Sequence, residues 1–237
     1  MSILDHLFVL LFAVLYPLAG AAGFRRFMQR IRAGQHPDRL VLYRNTIISH
    51  WTLLALGLLV WLQSGRGWEA LGLGLRLDTG FAAGAALTLL GIVFLMRQLH
   101  EVAGADSRTV TELHRRLGNL EFLLPRTRPE LERFYRLSVT AGIVEEILWR
   151  GFLMWYLLQF MPLAAAAVVC TLAFGLAHGY QGRRQLPLVT LVGGLFVVLY
   201  VLTGSVWLPI VMHAAIDILQ GRLGYELRAG RAPLGAR

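Results

Sequence analysis

Seven long apolar stretches constrain the fold of this chain more than any other feature of its sequence. Most of them fall within the roughly 17–25 residues that a helix needs to cross a bilayer. Hydrophobic residues make up 56% of the chain and charged residues only 16%, which is unusual for soluble domains. The sequence therefore predicts an all-α fold, a polytopic membrane helix bundle of about seven transmembrane helices. The predicted spans are residues 4–24, 46–63, 80–96, 134–160, 162–180, 186–202 and 205–220.

Arginine residues are concentrated in alternate connections between these stretches. The first and third connections and the C-terminal tail are rich in arginine, and the fifth contains Arg183 and Arg184, whereas the fourth and sixth contain none. Because positively charged loops remain in the cytoplasm, this pattern predicts an N-terminus outside and a C-terminus inside a cell (inner) membrane. The net charge of +9 is spread over these loops, so the predicted partner is the lipid bilayer and not nucleic acid.

The longest connection lies between His100 and Pro125. It mixes apolar and charged residues in a way that predicts an amphipathic helix on the cytoplasmic surface. After it, Thr127 and Glu130 flank an early proline, a pattern typical of a helix N-terminus. The residues that suggest the amphipathic helix are Val110, Leu113, Leu117, Leu120, Glu112, Arg115 and Arg116.

Two adjacent carboxylates, Glu145 and Glu146, lie in the middle of the fourth predicted span. Placing one charged group at the centre of a bilayer costs about 2.5–3.5 kcal/mol on insertion scales. A purely structural helix has no need of two such groups together with Arg150. The sequence therefore predicts that these residues have a function within the membrane.

Spacing along the helices divides the ionisable residues into pairs. Glu146 and Arg150 are four residues apart and share a helix face, which suits an intramembrane ion pair. Glu145 points about 100° away from Glu146, so it is left available for chemistry. The same four-residue spacing separates Phe174 from His178 on the fifth span, and His213 from Asp217 on the seventh.

These three pairs, in this order on three separate spans, resemble the motifs of the CPBP (Abi) family of intramembrane proteases, which includes the CAAX prenyl endopeptidases. The segment Gly142 to Phe152, with the sequence GIVEEILWRGF, is similar to the family as well. The resemblance covers about residues 137–219. Eukaryotic CAAX enzymes have asparagine at the last motif position, where this chain has Asp217.

The resemblance implies an intramembrane endopeptidase that cleaves a membrane-anchored protein or peptide. It implies that Glu145 and His178 hold and activate water, and that His213 and Asp217 stabilise the oxyanion or complete the site. A glutamate removed from water is a suitable general base. The resemblance also implies three supporting residues: Glu146, Arg150 and Phe174.

A metal ion is compatible with this set of residues. Glu145, His178 and His213 are acceptable zinc ligands if one position is left open for water. The HExxH helix of ordinary zinc proteases is absent from the sequence. We therefore favour water activated by glutamate, with zinc as the one cofactor left open.

The resemblance also suggests a division of the chain. Residues 1–130 form N-terminal transmembrane helices and a cytoplasmic loop, residues 131–222 a CPBP-like catalytic core, and residues 223–237 a cytoplasmic tail. Gly193-Gly194 indicates close helix packing. The histidines outside the motifs have no partner pattern and are interpreted as surface residues: His6, His36, His50, His100 and His114.

Two other classes of function are compatible with charged groups in the membrane. A proton-coupled transporter also places such groups at mid-membrane, but it more often shows two related halves, which this sequence lacks. A non-catalytic membrane scaffold or immunity protein is the second alternative.

Overall fold

Seven helices account for most of the residues that the structure describes. This computed structural model describes residues 1–103 and 118–229, which contain no strand. The predicted all-α helix bundle is confirmed, whereas the amphipathic helix predicted around Val110 lies mostly outside the described residues. The helices are α1 (Ile3–Arg32), α2 (Arg39–Gln63), α3 (Thr79–Ala103), α4 (residues 128–157), α5 (Leu163–Ala177), α6 (Leu186–Thr203) and α7 (Trp207–Ala229).

The seven helices differ in how well they suit a membrane. Helices α1, α2, α3 and α6 are long and apolar enough to cross one by length and composition. Helix α5 is apolar but has only 15 residues, because it ends before His178 and not at the predicted residue 180. Helices α4 and α7 contain charged residues along their length, and α7 continues beyond the predicted residue 220. The predicted site residues thus lie on or at the end of the three helices that are shorter or more polar.

Helix α4 begins where the sequence predicts a helix start. The hydroxyl of Thr127 accepts a hydrogen bond from the backbone N–H of Glu130, and Pro129 lies in the first turn. The carboxylate of Glu130 accepts from the backbone N–H of Arg126 at 2.7 Å. These contacts satisfy N–H groups that a helix N-terminus leaves without intrahelical partners.

Helix α4 lies at the centre of the bundle, where it packs against α2 and α7. It consists of an α-helical part, Arg128–Glu146, a π-helical part, Ile147–Leu153, and a last turn, Met154–Leu157. Every residue of the π-helical part is buried. Its aromatic residues pack with α1 and α2, for example Phe152 against Phe8 and Trp61. The π-helical part begins directly after the two glutamates. Such segments are frequent at functional sites.

A buried ion pair connects the start of α1 to the turn after α2. Arg66 donates to both carboxylate oxygens of Asp5, at 2.8 and 2.6 Å, and Asp5 is fully buried. The Arg66 guanidinium also lies over the rings of Trp61 and Trp155, at 4.9 and 4.0 Å from their centres. This arrangement ties α1 to α2 and α4, because each of the three helices contributes one of the contacts.

Replacing Arg66 should therefore destabilise the bundle. We expect Arg66→Met to lower the free energy of unfolding by about 3–5 kcal/mol, because Asp5 would remain buried without its counter-charge. The control is Arg76→Met, since Arg76 pairs with Asp78 where the two side chains are 78% and 43% exposed. That change should cost less than about 1 kcal/mol. Denaturant unfolding in detergent micelles measures both, and equal losses would contradict this account.

Candidate active site

The ion pair predicted from the i, i+4 spacing on α4 is present and completely buried. Nη1 of Arg150 donates to Oε1 of Glu146 at 3.0 Å, and both side chains are 0% exposed. Nη2 of Arg150 donates to the carbonyl oxygen of Gly193 on α6 at 2.9 Å. The guanidinium also lies 4.3 Å from the ring centre of Phe174 on α5. Arg150 thus connects α4 to both α5 and α6.

Glu146 also holds the first residue of the third motif. Nδ1 of His213 lies 2.7 Å from the same Oε1 of Glu146. An ionised carboxylate only accepts hydrogen bonds, so Nδ1 carries the hydrogen and Nε2 is left for other partners. The carboxylate of Asp217 lies 3.7 Å from Nε2. The His213 ring stacks on Phe196, with ring centres 5.0 Å apart, so its orientation is fixed on two sides.

Glu145 faces a different histidine, His178 at the end of α5. Nδ1 of His178 lies 2.8 Å from the backbone carbonyl oxygen of Phe174, which can only accept, so Nδ1 carries the hydrogen. Nε2 of His178 lies 3.5 Å from Oε2 of Glu145, which is longer than an ordinary N–H···O hydrogen bond. A neutral His178 and an ionised Glu145 therefore present two acceptors to each other. Such a pair is suited to share one proton or to accept the two O–H groups of a water molecule.

His50 corrects the interpretation of the histidines outside the motifs. The lack of a partner pattern predicts a surface position for His50, and this prediction is wrong: His50 is only 8% exposed, and its Nε2 lies 3.1 Å from Oε1 of Glu145. No motif marks this residue, because its partner is 95 positions away along the chain. One signal was available: His50 lies inside the predicted span 46–63, and an ionisable residue within a span is by default a candidate for function.

Two glycines allow the helices of the site to approach each other. A Cβ atom at Gly142 would lie 3.0 Å from the carbonyl oxygen of Ile210 and 3.1 Å from Cβ of Ala214, both on α7. A Cβ atom at Gly193 would lie 2.8 Å from the ring of Phe174. The indication of close packing at Gly193 is thus confirmed. These close approaches lie beside the contacts of Glu146 with His213 on α7 and of Arg150 with the backbone of α6.

The three residues considered as zinc ligands do not converge. Within residues 1–103 and 118–229, no three His, Cys, Asp or Glu side chains are grouped closely enough to bind a metal ion. His213 directs its Nδ1 to Glu146 and His178 directs its Nδ1 to a carbonyl oxygen, which leaves each ring one nitrogen, Nε2, for a ligand. Zinc is excluded by the lack of convergence among the described residues and not by these two hydrogen bonds. The residues in this arrangement do not fit a zinc site, so no step of the reaction proposed below is assigned to a metal.

A cavity of about 730 Å³ lies beside His178. It extends along α1 and reaches the end of α5, so that residues on either side of His178 contribute to its wall. Much of the wall is apolar, and arginines of α1 line another part. Its lining includes Ala13, Leu18, Ala21, Phe24, Arg25, Arg32, Ala177, Gly179 and Tyr180.

Comparison with known proteins agrees with the motif analysis. Residues 128–219 match the family model described as Type II CAAX prenyl endopeptidase Rce1-like. This segment begins with the first residue of α4 and contains all three motif pairs. The match confirms the resemblance to the CPBP family and supports a membrane endopeptidase of the CAAX-protease type. No curated protein and no solved structure matches the chain significantly.

Proposed function

We propose that this protein is an intramembrane endopeptidase in which Glu145 and His178 activate a water molecule. One observation carries the proposal: Oε2 of Glu145 and Nε2 of His178 face each other at 3.5 Å. The hydrogen of His178 is held on the opposite nitrogen by a backbone carbonyl, so both facing atoms are free to act as bases. The pair lies in the segment that matches the CAAX-type family.

In the proposed reaction, Glu145 takes one proton from water as the water oxygen attacks the scissile carbonyl carbon. When the tetrahedral intermediate collapses, the C–N bond breaks, and this proton passes to the leaving amine. The glutamate is thereby restored to its carboxylate form. The products are a carboxylic acid and an amine, and transfer of the acid proton to the amine gives a carboxylate and an ammonium group. His178 is the second acceptor that orients the water for attack.

His213 is proposed to stabilise the negative charge on the carbonyl oxygen. Glu146 accepts a hydrogen bond from Nδ1 of His213, a contact that a doubly protonated ring retains. In that form Nε2–H can donate to the developing oxyanion. Asp217, which is 3.7 Å from Nε2, keeps the ring directed toward the site. Glu146 and Arg150 are supporting residues, because both are completely buried and contact no solvent.

The proposed substrate is a membrane-anchored protein or peptide. The cavity beside His178 has an apolar wall along α1 and basic residues in Arg25 and Arg32. An apolar anchor fits the first part, and a polar or acidic segment fits the second. We place the protein in a cell (inner) membrane with its N-terminus outside and its C-terminus in the cytoplasm, because positively charged loops remain on the cytoplasmic side.

Filling this cavity should interfere with the substrate and leave the catalytic residues intact. We expect Ala21→Trp to raise KM about 10-fold or more, because lost substrate contacts of about 1.4 kcal/mol correspond to a factor of ten. Ala19→Trp is the matched control, since Ala19 is exposed on the same helix and does not line the cavity. Steady-state kinetics on an internally quenched, farnesylated peptide in liposomes distinguish the two variants. An unchanged KM in Ala21→Trp would contradict this assignment of the cavity.

Cleavage of a defined peptide tests the proposal. The purified protein would be placed in liposomes with an internally quenched peptide that carries a farnesylated cysteine near its C-terminus, and products would be identified by mass spectrometry. We expect cleavage that survives treatment with a metal chelator. Loss of activity on chelation, restored by zinc, would contradict the metal-free reaction.

The same cleavage assay, combined with cells that carry Glu145→Gln, distinguishes a peptidase from a transporter or a non-catalytic protein. Absence of cleavage, together with no uncleaved precursor accumulating in the membranes of cells that carry Glu145→Gln, would contradict the peptidase proposal. That result would favour a transporter or a non-catalytic scaffold or immunity protein.

A further inference from the structure

His50 joins the candidate site from outside the segment that matches the family. It lies on α2, whereas the match begins at residue 128. Its side chain is buried between α1 and α4, with Nε2 at 3.1 Å from Oε1 of Glu145. Of the two contacts that Glu145 makes with histidines in the described residues, this is the shorter one.

The opposite nitrogen of His50 contacts two polar groups, and a third group contacts both of these. Nδ1 lies 2.9 Å from the hydroxyl of Tyr16 on α1 and 3.0 Å from the carbonyl oxygen of Thr46. The Tyr16 hydroxyl is also 2.9 Å from the hydroxyl of Ser49, which donates to the same carbonyl oxygen. If Nε2 donates to an ionised Glu145, which can only accept, two arrangements of hydrogens satisfy this cluster. Either Tyr16 donates to Nδ1 of a neutral ring, or a doubly protonated ring donates from Nδ1 to Thr46.

Both arrangements share one contact with an ionised Glu145. In each of them Nε2 of His50 carries a hydrogen and donates to Oε1 of Glu145. The second oxygen, Oε2, is buried and accepts no hydrogen bond from the described residues. It is the oxygen that faces His178. The donor on one oxygen therefore fixes the rotation of the carboxylate and leaves the other oxygen to act as the base.

We infer that His50 is a positioning residue that holds Oε1 of Glu145, so that Oε2 is the oxygen that accepts the proton from water. This inference rests on the proposed function. It adds that the matched segment is incomplete without α1 and α2, which supply the cluster of Tyr16, Ser49 and His50.

Two substitutions of His50 distinguish a role in orienting Glu145 from a role in folding alone. The amide nitrogen of glutamine occupies about the place of Nε2, whereas that of asparagine occupies about the place of Nδ1. His50→Gln therefore retains a donor to Glu145, and His50→Asn retains only the contacts with Thr46 and Tyr16. We expect His50→Asn to lower kcat about 10–100-fold, as is typical when a residue that orients a reactive group is lost. KM should stay within a factor of about three, because both ring nitrogens of His50 contact protein groups and the inferred role is to orient Glu145.

Rescue by glutamine is the decisive comparison. His50→Gln should keep at least about one third of the wild-type kcat, because its amide nitrogen can still donate to Glu145. A loss of folded protein would instead lower the apparent kcat of both variants equally. His6→Gln is the control for loss of a histidine, since His6 is exposed and its one side-chain hydrogen bond within residues 1–103 and 118–229 is to Tyr156. Equal kcat values in the asparagine and glutamine variants would overturn the inference. If Glu145→Gln is inactive while both His50 variants match the wild type, His50 has no such role, although the peptidase proposal stands.

A spectroscopic measurement tests the contact without relying on turnover or on the folding of the asparagine variant. In protein labelled with ¹⁵N-histidine, the His50 signals are assigned by their absence in His50→Gln. We expect Glu145→Gln to shift the His50 Nε2 signal, and Glu132→Gln, a change on the exposed surface of α4, to leave it in place. An unshifted His50 signal in Glu145→Gln would overturn the inference even if cleavage is never detected.

Discussion

Glu145→Gln should reduce peptide cleavage about 10³-fold, within the range expected when a general base is removed. The amide has nearly the same shape as the carboxylate, so His50 and His178 keep a neighbour of the same size. It cannot accept a proton from water, because its nitrogen is a donor and its oxygen is a much weaker base. The loss should appear in kcat, measured by the release of product from the farnesylated peptide in liposomes.

The control for this prediction lies on the same helix. Glu132 forms an ion pair with Arg128 in which both side chains are more than half exposed. Glu132→Gln should leave kcat and KM within a factor of about two, because exposed pairs contribute little. Wild-type cleavage by a correctly folded Glu145→Gln variant would contradict the role of Glu145 as base. It would leave the structural description of the bundle unchanged.

Arg150→Met should produce the largest loss of stability of any substitution in the site. Glu146 would remain buried without the guanidinium, and breaking a buried pair in this way costs about 3–5 kcal/mol. Arg150 also donates to Gly193 and lies against the ring of Phe174, so its loss weakens the contact of α4 with α5 and α6. Denaturant unfolding in micelles measures the change.

A double substitution separates the ion pair from the other contacts of Arg150. Glu146→Gln combined with Arg150→Met removes both charges, and neutral replacement of a buried pair is often tolerated. We therefore expect the double variant to be more stable than Arg150→Met alone. Arg128→Met is the exposed control and should cost less than about 1 kcal/mol. If Arg150→Met were no more harmful than Arg128→Met, the buried pair would not hold the helices together.

Most of the fold was predictable from the sequence because lipid restricts the choice of structure. Apolar stretches of this length can satisfy their backbone hydrogen bonds in a bilayer as helices, and the start of α4 followed from Thr127 and Pro129. The ends of helices were less predictable. Helix α5 ends at Ala177, and His178 no longer has the helical backbone conformation. Hydropathy carries no information about where this change occurs.

In the candidate site, contacts between residues close together on one helix were predictable, and contacts between distant helices were not. Pairs that lie four residues apart on one helix, such as Glu146 with Arg150, were visible in the spacing and are in contact in the structure. The contact of Glu146 with His213 joins residues 67 positions apart and depends on close packing at Gly142, which no local pattern reveals. His50 was misassigned for the same reason, since its role depends on how α2 packs against α4. The roles of the motif residues remain predictions, and so do the boundaries of the three segments.

The fate of the water oxygen tests the central claim most directly. In a single turnover of the farnesylated peptide in ¹⁸O-labelled water, mass spectrometry of the product and of the enzyme locates the label. If Glu145 activates water for direct attack, the new carboxylate of the product carries one ¹⁸O atom and Glu145 carries none. An unlabelled product together with ¹⁸O in the enzyme peptide that contains Glu145 would mean that the glutamate attacks the substrate itself. That result would contradict the account.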